Sequence, residues 1–189
     1  MTVAAKICGI STAEALEAAV AGGAAWVGFV FYPRSPRNVT VAEAAALAAR
    51  VPAGVTPVAL LVDADDALID AITAAAPFGL LQLHGGETPD RVRAIRTRTG
   101  VPVMKAVKVA VAADLDAVPG FAAVADRILF DPKPPPDRAG LLPGGNALSF
   151  DWTLLTGRAW PVPWMLSGGL TPENVAQAVR LTGAPAVDV

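Results

Sequence analysis

The sequence is poor in the residues that disulfides and metal clusters require, because its 189 residues include one cysteine and one histidine. One cysteine cannot form an internal disulfide, which suits a reducing compartment. A single histidine argues against a metal site built from several histidine and carboxylate ligands. Fifteen basic and seventeen acidic residues leave a net charge of −2 with no basic tract. We therefore do not expect nucleic acid as a principal partner.

Long apolar segments are missing as well. The N-terminus has no basic segment followed by a long apolar run, which a signal peptide would have. No uncharged apolar run approaches the roughly 18 residues that a membrane span needs. We therefore predict a cytoplasmic protein that has no membrane partner.

The sequence instead repeats one unit, in which a short apolar run is followed by a turn and an amphipathic helix. Strands are predicted at residues 3–8, 26–31, 56–62, 79–83, 101–107, 127–130, 164–167 and 186–189. Helices are predicted at about residues 12–21, 41–50, 65–75, 89–97, 112–117 and 172–181, with Thr12 as the first N-cap. Eight such units predict an α/β protein, a (β/α)8 TIM barrel that forms one domain over residues 1–189. A doubly wound sheet is the alternative, but eight units in so short a chain favour closure.

The predicted barrel has no helix after strand eight. The sequence ends at Val189, inside or just after that strand. A barrel of this class carries a helix there. We therefore expect a C-terminally incomplete barrel, with apolar surface exposed beside the last strand.

Polar residues collect where the predicted strands end, and such barrels hold their active sites at that end. The candidates are Cys8, Arg34, Arg37, Asp63, His84, Asp131, residues 167–169 and Asp188. Few comparable residues occur at the opposite ends of the strands. This asymmetry predicts a site at the C-terminal mouth of the barrel.

Lys6 and Cys8 share one face of the first strand, because side chains alternate along a strand. A thiol beside an ammonium group can become a reactive thiolate. We therefore expect Lys6 to favour the thiolate of Cys8. The alternative is that a lone cysteine is a small buried hydrophobe.

Three further side chains have two interpretations each. Arg37 is either a solvated loop charge or a guanidinium that two nearby prolines hold against a carboxylate. His84 either contacts a ligand or caps the turn after strand four. Asp131 is either an acid whose pKa partial burial raises, or the ion-pair partner of Lys133.

Two glycine-rich segments suggest a phosphorylated ligand. Gly144, Gly145 and Asn146 could offer backbone N–H groups to an anion, and Gly168 and Gly169 precede the helix after strand seven. Glycine turns alone are weak indications of a phosphate site.

These motifs together resemble one family, the phosphoribosylanthranilate isomerases of tryptophan biosynthesis. The resemblance begins with the Lys-Ile-Cys-Gly-Ile segment and continues in order along the chain. The matching residues are 6–10, 28–33 with 35–37, 82–85, 104–106, 129–131, 144–146 with 150–152, 166–170 with 172–175, and 187–189. It implies an Amadori rearrangement of N-(5-phosphoribosyl)anthranilate to 1-(2-carboxyphenylamino)-1-deoxyribulose 5-phosphate, without metal or cofactor. We separately expect a monomer or homodimer.

The resemblance also implies a role for each matching residue. Cys8 would be the general base that takes the proton from ribose C2, and Asp131 the general acid that protonates the ring oxygen. His84 would contact the substrate beside them. Arg37 would hold the anthranilate carboxylate, and Asp188 would lie near the amine.

The phosphate would bind at Gly145, Gly168 and Gly169. The chain departs from the family here, because residues 143–149 replace a Gly-Gly-x-Gly-Lys type of segment. The proline-rich residues 133–136 are a second departure. The third is that a Ser-Ser-Gly-Val-Glu segment and a final helix follow strand eight in the family.

Three rival interpretations remain open at this stage. A truncated chain could be inactive, or could be a barrel that merely binds a phosphorylated ligand. An indole-glycerol-phosphate synthase would need catalytic lysine and glutamate on its strands, and Lys105 is one candidate for the lysine. A pentose-phosphate epimerase would need a histidine-rich metal site.

Overall fold

A computed structural model describes residues 2–135 and 148–189, and in it eight parallel strands close into one barrel. The strands are β1 Ala4–Cys8, β2 Trp26–Phe31, β3 Thr56–Leu61, β4 Leu80–Leu83, β5 Val103–Val109, β6 Arg127–Pro132, β7 Trp164–Leu166 and β8 Ala186–Asp188. The barrel closes where β1 pairs with β8, with Lys6 opposite Asp188. The predicted (β/α)8 barrel is confirmed, and β8 is the last element of the described chain.

Helices cover the outside of the strands. They are α1 Ala13–Ala21, α2 Val41–Ala48, α3 Asp66–Ala75, α4 Pro89–Thr99, α5 Val118–Ala122 and α6 Val175–Thr182, with 3-10 turns at Ala112–Ala117 and Trp152–Leu155. The Thr12 side chain accepts a hydrogen bond from Ala15 N, which confirms the predicted N-cap. None of the described helices is both long and apolar enough to cross a bilayer.

The alternation of side chains divides each strand between the barrel interior and the helices. A layer inside the barrel contains Val58, Leu80, Met104 and Leu129, all of them buried. Their chain neighbours, such as Leu81, point outward and pack under the helices. Because successive residues alternate, the interior face continues toward the mouth through residues two positions further along each strand.

Two strands extend further than the sequence predicts. β5 continues to Val109 and β6 to Pro132, and the two strands pair in register with Lys108 opposite Asp131. A charged residue after an apolar run resembles the start of a loop in sequence. Here the strands continue because the two opposite charges pair inside the barrel.

Candidate active site

A cavity at the C-terminal mouth of the barrel brings together six of the predicted residues. These are Cys8, Arg37, His84, Asp131, Ser167 and Asp188. The cavity encloses about 570 Å³ of empty space, including its opening to solvent. Its other lining residues are Val30, Tyr32, Ser35, Leu60, Val62, Gln82 and Val189.

Lys6 and Asp188 form a buried ion pair beside Cys8. The Lys6 Nζ atom lies 2.8 Å from Asp188 Oδ1, and the lysine is fully buried. Gly28 on β2 leaves room for this group, because a Cβ atom there would lie 3.0 Å from both Cys8 Sγ and Lys6 Nζ. The thiol and the ammonium group are therefore packed against the same point of β2.

The pKa of Cys8 is raised above its usual value. Burial is the main cause, and Asp188 adds to it, while Lys6 and Arg37 act in the opposite direction. The expectation that Lys6 makes Cys8 a thiolate is therefore wrong in this geometry. Lys6 stabilises a thiolate, but its charge is already neutralised by Asp188, whose carboxylate also raises the pKa of Lys6 against the effect of burial.

Asp131 is held by donors from two neighbouring strands. His84 Nε2 lies 3.1 Å from Asp131 Oδ2, and Lys108 Nζ lies 3.0 Å from the same oxygen. On its other side, His84 Nδ1 lies 3.0 Å from the amide nitrogen of Gln82. The predicted alternative partner, Lys133, instead pairs with Asp114.

The pKa of Asp131 is lowered, which corrects the sequence-based expectation of a raised value. Burial favours the protonated form, but the hydrogen bond and charge of His84 and the charge of Lys108 outweigh it. Burial also lowers the pKa of His84. It lowers the pKa of Lys108 as well, although the nearby Asp131 carboxylate acts in the opposite direction. The sequence predicted that Asp131 follows strand six, but it did not predict that His84 and Lys108 surround the carboxylate.

Arg37 reaches the cavity because the turn after β1 has no side chain in its way. Gly9 has a φ of +86°, and a Cβ atom there would lie 2.5 Å from Arg37 Cδ. Ser35 Oγ accepts a hydrogen bond from Arg37 N at 3.2 Å and stabilises the loop after β2. The glycine therefore allows the arginine side chain to lie against the β1 turn at the cavity rim.

Gly168 and Gly169 form a tight turn after β7, next to the cavity residue Ser167. Gly168 has a φ of +99°, and a Cβ atom there would lie 2.2 Å from the Pro132 ring. Asn174 fixes the turn by donating to Gly169 O and accepting from the backbone. The predicted phosphate residue Gly145, with Gly144 and Asn146, lies outside the described residues.

Three sequence candidates do not line the cavity. Arg34 is exposed on the loop after β2. Asp63 accepts a hydrogen bond from Gly86 N at 2.7 Å and so joins the loops after β3 and β4. Lys105 points outward from β5 and pairs with Glu87 at 2.7 Å, which removes it as a catalytic lysine for the synthase interpretation.

Sequence reasoning missed Lys108 and Gln82 as functional candidates. Lys108 follows Met104 and Ala106 on the interior face of β5, but the strand was predicted to end one residue earlier. Gln82 lies two residues before His84 on β4, so alternation alone places both on one face. Alternation could have found both residues once the interior face of each strand was known.

Among residues 2–135 and 148–189, no three histidine, cysteine or carboxylate side chains are close enough to hold a metal ion. The cavity carries a thiol, carboxyl groups, an imidazole and a guanidinium group. Such groups exchange protons with a ligand, and the guanidinium of Arg37 can bind a carboxylate.

Comparison with known proteins gives a consistent result over the whole chain. The family model for N-(5'-phosphoribosyl)anthranilate (PRA) isomerase matches residues 5–189. The relative of that name from Rhodopseudomonas palustris is 59% identical over 190 residues, covering 100% of this chain and 86% of the relative. The relative from Paramagnetospirillum magneticum is 58% identical over 189 residues, with 100% and 87% covered.

Solved structures agree with the sequence relatives. The crystal structure of phosphoribosyl anthranilate isomerase from Thermotoga maritima matches with a TM-score of 0.85 at 33% identity, covering 100% of this chain and 87% of that chain. A structure of phosphoribosyl anthranilate isomerase in complex with reduced 1-(o-carboxyphenylamino)-1-deoxyribulose 5-phosphate matches with a TM-score of 0.82 at 32% identity, covering 100% and 87%.

The closed barrel and the titratable groups at its mouth define the chain as a (β/α)8-barrel enzyme. The full-length matches identify the member of that class. The chain belongs to the N-(5'-phosphoribosyl)anthranilate isomerase family.

Proposed function

We propose that this chain isomerises N-(5'-phosphoribosyl)anthranilate to 1-(2-carboxyphenylamino)-1-deoxyribulose 5-phosphate, with Asp131 as general acid and Cys8 as general base. The observation that supports these roles is that the thiol and the carboxyl group line one cavity. Opening the sugar ring and moving hydrogen from C2 requires one group that donates a proton and another that accepts one.

The reaction begins when Asp131 protonates the ring oxygen of the ribose. The bond between that oxygen and C1 breaks while the nitrogen lone pair forms a C1–N double bond. The Cys8 thiolate then takes the proton from C2, and the electrons of the C–H bond form an enolamine. Protonation at C1 and loss of the hydroxyl proton at C2 give the ketone, so the substrate and the product have the same atoms.

In the mechanism, Cys8 and Asp131 carry one titratable proton between them, and it must lie on Asp131 when the reaction starts. Their pKa shifts place it on the thiol before the reaction, since the thiol pKa is raised and the carboxyl pKa is lowered. A bound substrate removes water from Asp131 and adds its own negative charges, and both effects favour the carboxylic acid. Lys6 beside Cys8 stabilises the thiolate that results.

Substrate binding divides between the two sides of the cavity. Arg37 holds the anthranilate carboxylate through a charge-assisted hydrogen bond. Asp188 faces the amine, and the turn at Gly168 and Gly169, together with Gly145, binds the phosphate. In this arrangement, the sugar lies between the thiol and the carboxyl group.

The test is the loss of substrate fluorescence measured with Cys8→Ala and Asp131→Asn. Each variant removes one proton-transfer group, and such groups are worth about 10²–10⁴-fold in rate. We expect kcat to fall by that factor, whereas KM changes little because neither group carries most of the binding.

Asp70→Asn is the matched control. Asp70 forms an exposed ion pair with Arg98 on the outside of the barrel, so this variant should keep its activity. Near-normal kcat in either Cys8→Ala or Asp131→Asn would exclude the proposed mechanism.

We further propose that residues 1–189 form a single barrel domain that acts in the cytoplasm, as a monomer or homodimer, on this phosphorylated small molecule. The barrel closes from β1 to β8, and the relatives carry the name of a biosynthetic enzyme. One solved structure is of monomers generated from the dimeric phosphoribosylanthranilate isomerase of Thermotoga maritima, so the monomer and the dimer both have a precedent in that relative.

A further inference from the structure

A buried chain of three polar side chains runs from β4 to β6 at the floor of the cavity. Gln82 Nε2 lies 3.0 Å from His84 Nδ1, and His84 Nε2 lies 3.1 Å from Asp131 Oδ2. Gln82 is fully buried, and His84 and Asp131 are 5% and 4% exposed. Water therefore has little access to these hydrogen bonds, and each proton must be supplied by one of the three residues.

The charge of Asp131 fixes the direction of its bond with His84. Lys108 Nζ lies 3.0 Å from the same carboxylate oxygen, and an ionised carboxylate only accepts hydrogen bonds. His84 must therefore present its Nε2–H to Asp131.

Burial then determines the protonation of the other ring nitrogen, Nδ1. Burial lowers the pKa of His84, although Asp131 opposes this, so the ring is neutral and carries one proton. With that proton on Nε2, the Nδ1 atom is a bare acceptor. Gln82 has to donate its amide N–H to Nδ1.

The reversed orientation of the Gln82 amide does not fit this state of the ring. In the observed orientation, Gln82 Oε1 is buried and has no hydrogen-bond partner in the described part of the chain, which is a cost of this arrangement. Turning the amide over would place Oε1 against Nδ1 and would require a proton there. The ring would then be either an imidazolium or a tautomer whose bare Nε2 faces the Asp131 carboxylate.

We propose that Gln82 is a positioning residue that holds His84 as the neutral Nε2–H tautomer and so directs a hydrogen-bond donor at Asp131. This inference rests on the proposed role of Asp131 as general acid. The carboxylate that forms when Asp131 protonates the sugar meets two donors, His84 and Lys108, which stabilise it. A neutral ring does this without adding a second positive charge to that of Lys108, and a second charge would favour the ionised form of Asp131 still further.

The charged groups that act on His84 come from three strands. Asp131 on β6 and Asp188 on β8 favour the imidazolium, whereas Lys108 on β5 opposes it. The Asp131 carboxylate selects the Nε2–H tautomer, and the amide of Gln82 is the uncharged neighbour that stabilises it by donating to Nδ1.

The tautomer can be measured directly, because His84 is the only histidine in the sequence. The chain is labelled with ¹⁵N, purified without a histidine tag, and its ring nitrogens are correlated with the carbon-bound ring protons by NMR. We expect a neutral ring at pH 7 with the proton on Nε2. A proton on Nδ1, or an imidazolium at pH 7, would overturn the proposal.

Two variants of Gln82 separate positioning from packing. Gln82→Glu places a carboxylate against Nδ1, so His84 should become an imidazolium at pH 7, and kcat should fall by about 10-fold with KM little changed. Gln82→Leu removes the donor to Nδ1 but leaves the Asp131 carboxylate, so His84 should stay neutral with its proton on Nε2, and kcat should fall less than in Gln82→Glu. Unchanged histidine titration and kcat in Gln82→Glu would contradict the proposal.

Leu80→Met is the matched control. Leu80 lies two residues earlier on the same face of β4, in the apolar layer inside the barrel, and the change nearly conserves volume. We expect the wild-type tautomer and kcat in this variant. A shift of the tautomer here would mean that packing, not the Gln82 amide, sets it.

The outcome also distinguishes this inference from the proposed function. If Asp131→Asn is inactive but His84 carries its proton on Nδ1, the role of Gln82 fails and the general acid stands. If Asp131→Asn keeps full activity, the general acid fails, whatever the tautomer of His84.

Discussion

Cys8 shows that the surroundings of a residue decide its chemistry. One ammonium group lies beside the thiol, but the Asp188 carboxylate neutralises it and burial opposes any charge. The result is a thiol with a raised pKa that becomes a stronger base once it has lost its proton. A strong base suits the removal of a hydrogen from carbon, which is a weak acid.

Alkylation of Cys8 by iodoacetamide tests this pKa, since the sequence has no other cysteine. Only the thiolate reacts, and its pKa is raised from the usual 9.0. We expect labelling to accelerate about tenfold for each pH unit between 7 and 9. The half-maximal rate should lie above pH 9.

A small thiol such as N-acetylcysteine is the reference for this experiment, and its rate should reach half of its maximum at a lower pH than the rate of Cys8 does. Half-maximal labelling of the protein below pH 8 would contradict the raised pKa of Cys8.

Arg37 provides a second prediction at the scale of a residue. Arg37→Ala should raise KM for the substrate by about 10–100-fold, because one charge-assisted hydrogen bond to a carboxylate is lost. The kcat value should change much less than in Cys8→Ala. Steady-state kinetics provide the measurement.

Arg34→Ala is the control for Arg37, since Arg34 lies on the same loop and is exposed outside the cavity. Its KM should equal that of the wild type. An unchanged KM in Arg37→Ala would remove this arginine from the binding site.

At the scale of an element, β5 divides its two lysines between opposite faces. Lys108 donates to Asp131 on the interior side of the barrel, whereas Lys105 points outward and donates to Gly85 O and Glu87 Oε2, each at 2.7 Å. Glu87 Oε1 in turn accepts from Asp63 N at 3.0 Å. Lys105 and Glu87 therefore stabilise the loop after β4, which begins at His84.

Removing one partner of this buried pair should destabilise the fold strongly. In Lys105→Met, Glu87 keeps its charge in a buried position, and such changes cost about 3–5 kcal/mol. The double variant Lys105→Met with Glu87→Gln should recover part of this loss, because the amide oxygen still accepts the backbone N–H groups. Urea unfolding of the two single variants and the double variant measures the coupling free energy.

Simple addition of the two single effects in the double variant would contradict this interpretation. The exposed pair Arg93 and Asp90 on α4 serves as the comparison, and its coupling should be no more than about 1 kcal/mol.

At the scale of the whole molecule, Lys6 and Asp188 close the barrel between its first and last strands. The backbone adds hydrogen bonds at the same seam, from Cys8 N to Val189 O at 2.8 Å and from Val189 N to Lys6 O at 3.0 Å. β8 is only three residues long. We therefore expect the ion pair to contribute much of the stability of this seam.

Lys6→Met should therefore destabilise the barrel by about 3–5 kcal/mol, because it leaves Asp188 charged and buried. Since the pKa of Lys6 is raised on folding, the pair contributes fully at neutral pH. Its contribution should disappear only as pH rises above the ordinary lysine range near 10.5. Urea unfolding at pH 7 measures the difference.

Arg50→Met is the surface comparison, since Arg50 and Glu17 form an exposed ion pair. Its effect should be no more than about 1 kcal/mol. An equally small effect for Lys6→Met would show that the barrel closes without the buried pair.

The barrel was predictable because its signal is local. Apolar runs, an N-cap such as Thr12, and the spacing of eight strands depend on neighbouring residues. Strand ends were less predictable, because Lys108 and Asp131 remain in their strands through a contact between residues 23 positions apart. The protonation of Cys8 and Asp131 was predicted in the wrong direction for the same reason.

The sequence by itself determined the closed barrel and the family, because periodicity and motif order are properties of the chain. It also placed Cys8, Arg37, His84, Asp131 and Asp188 at the ends of strands. The tertiary structure decided which polar groups face each other, including Asp188 beside Lys6 and Gln82 beside His84. Those contacts set the pKa values and the hydrogen-bond directions, because electrostatic energies depend on distance and burial in three dimensions.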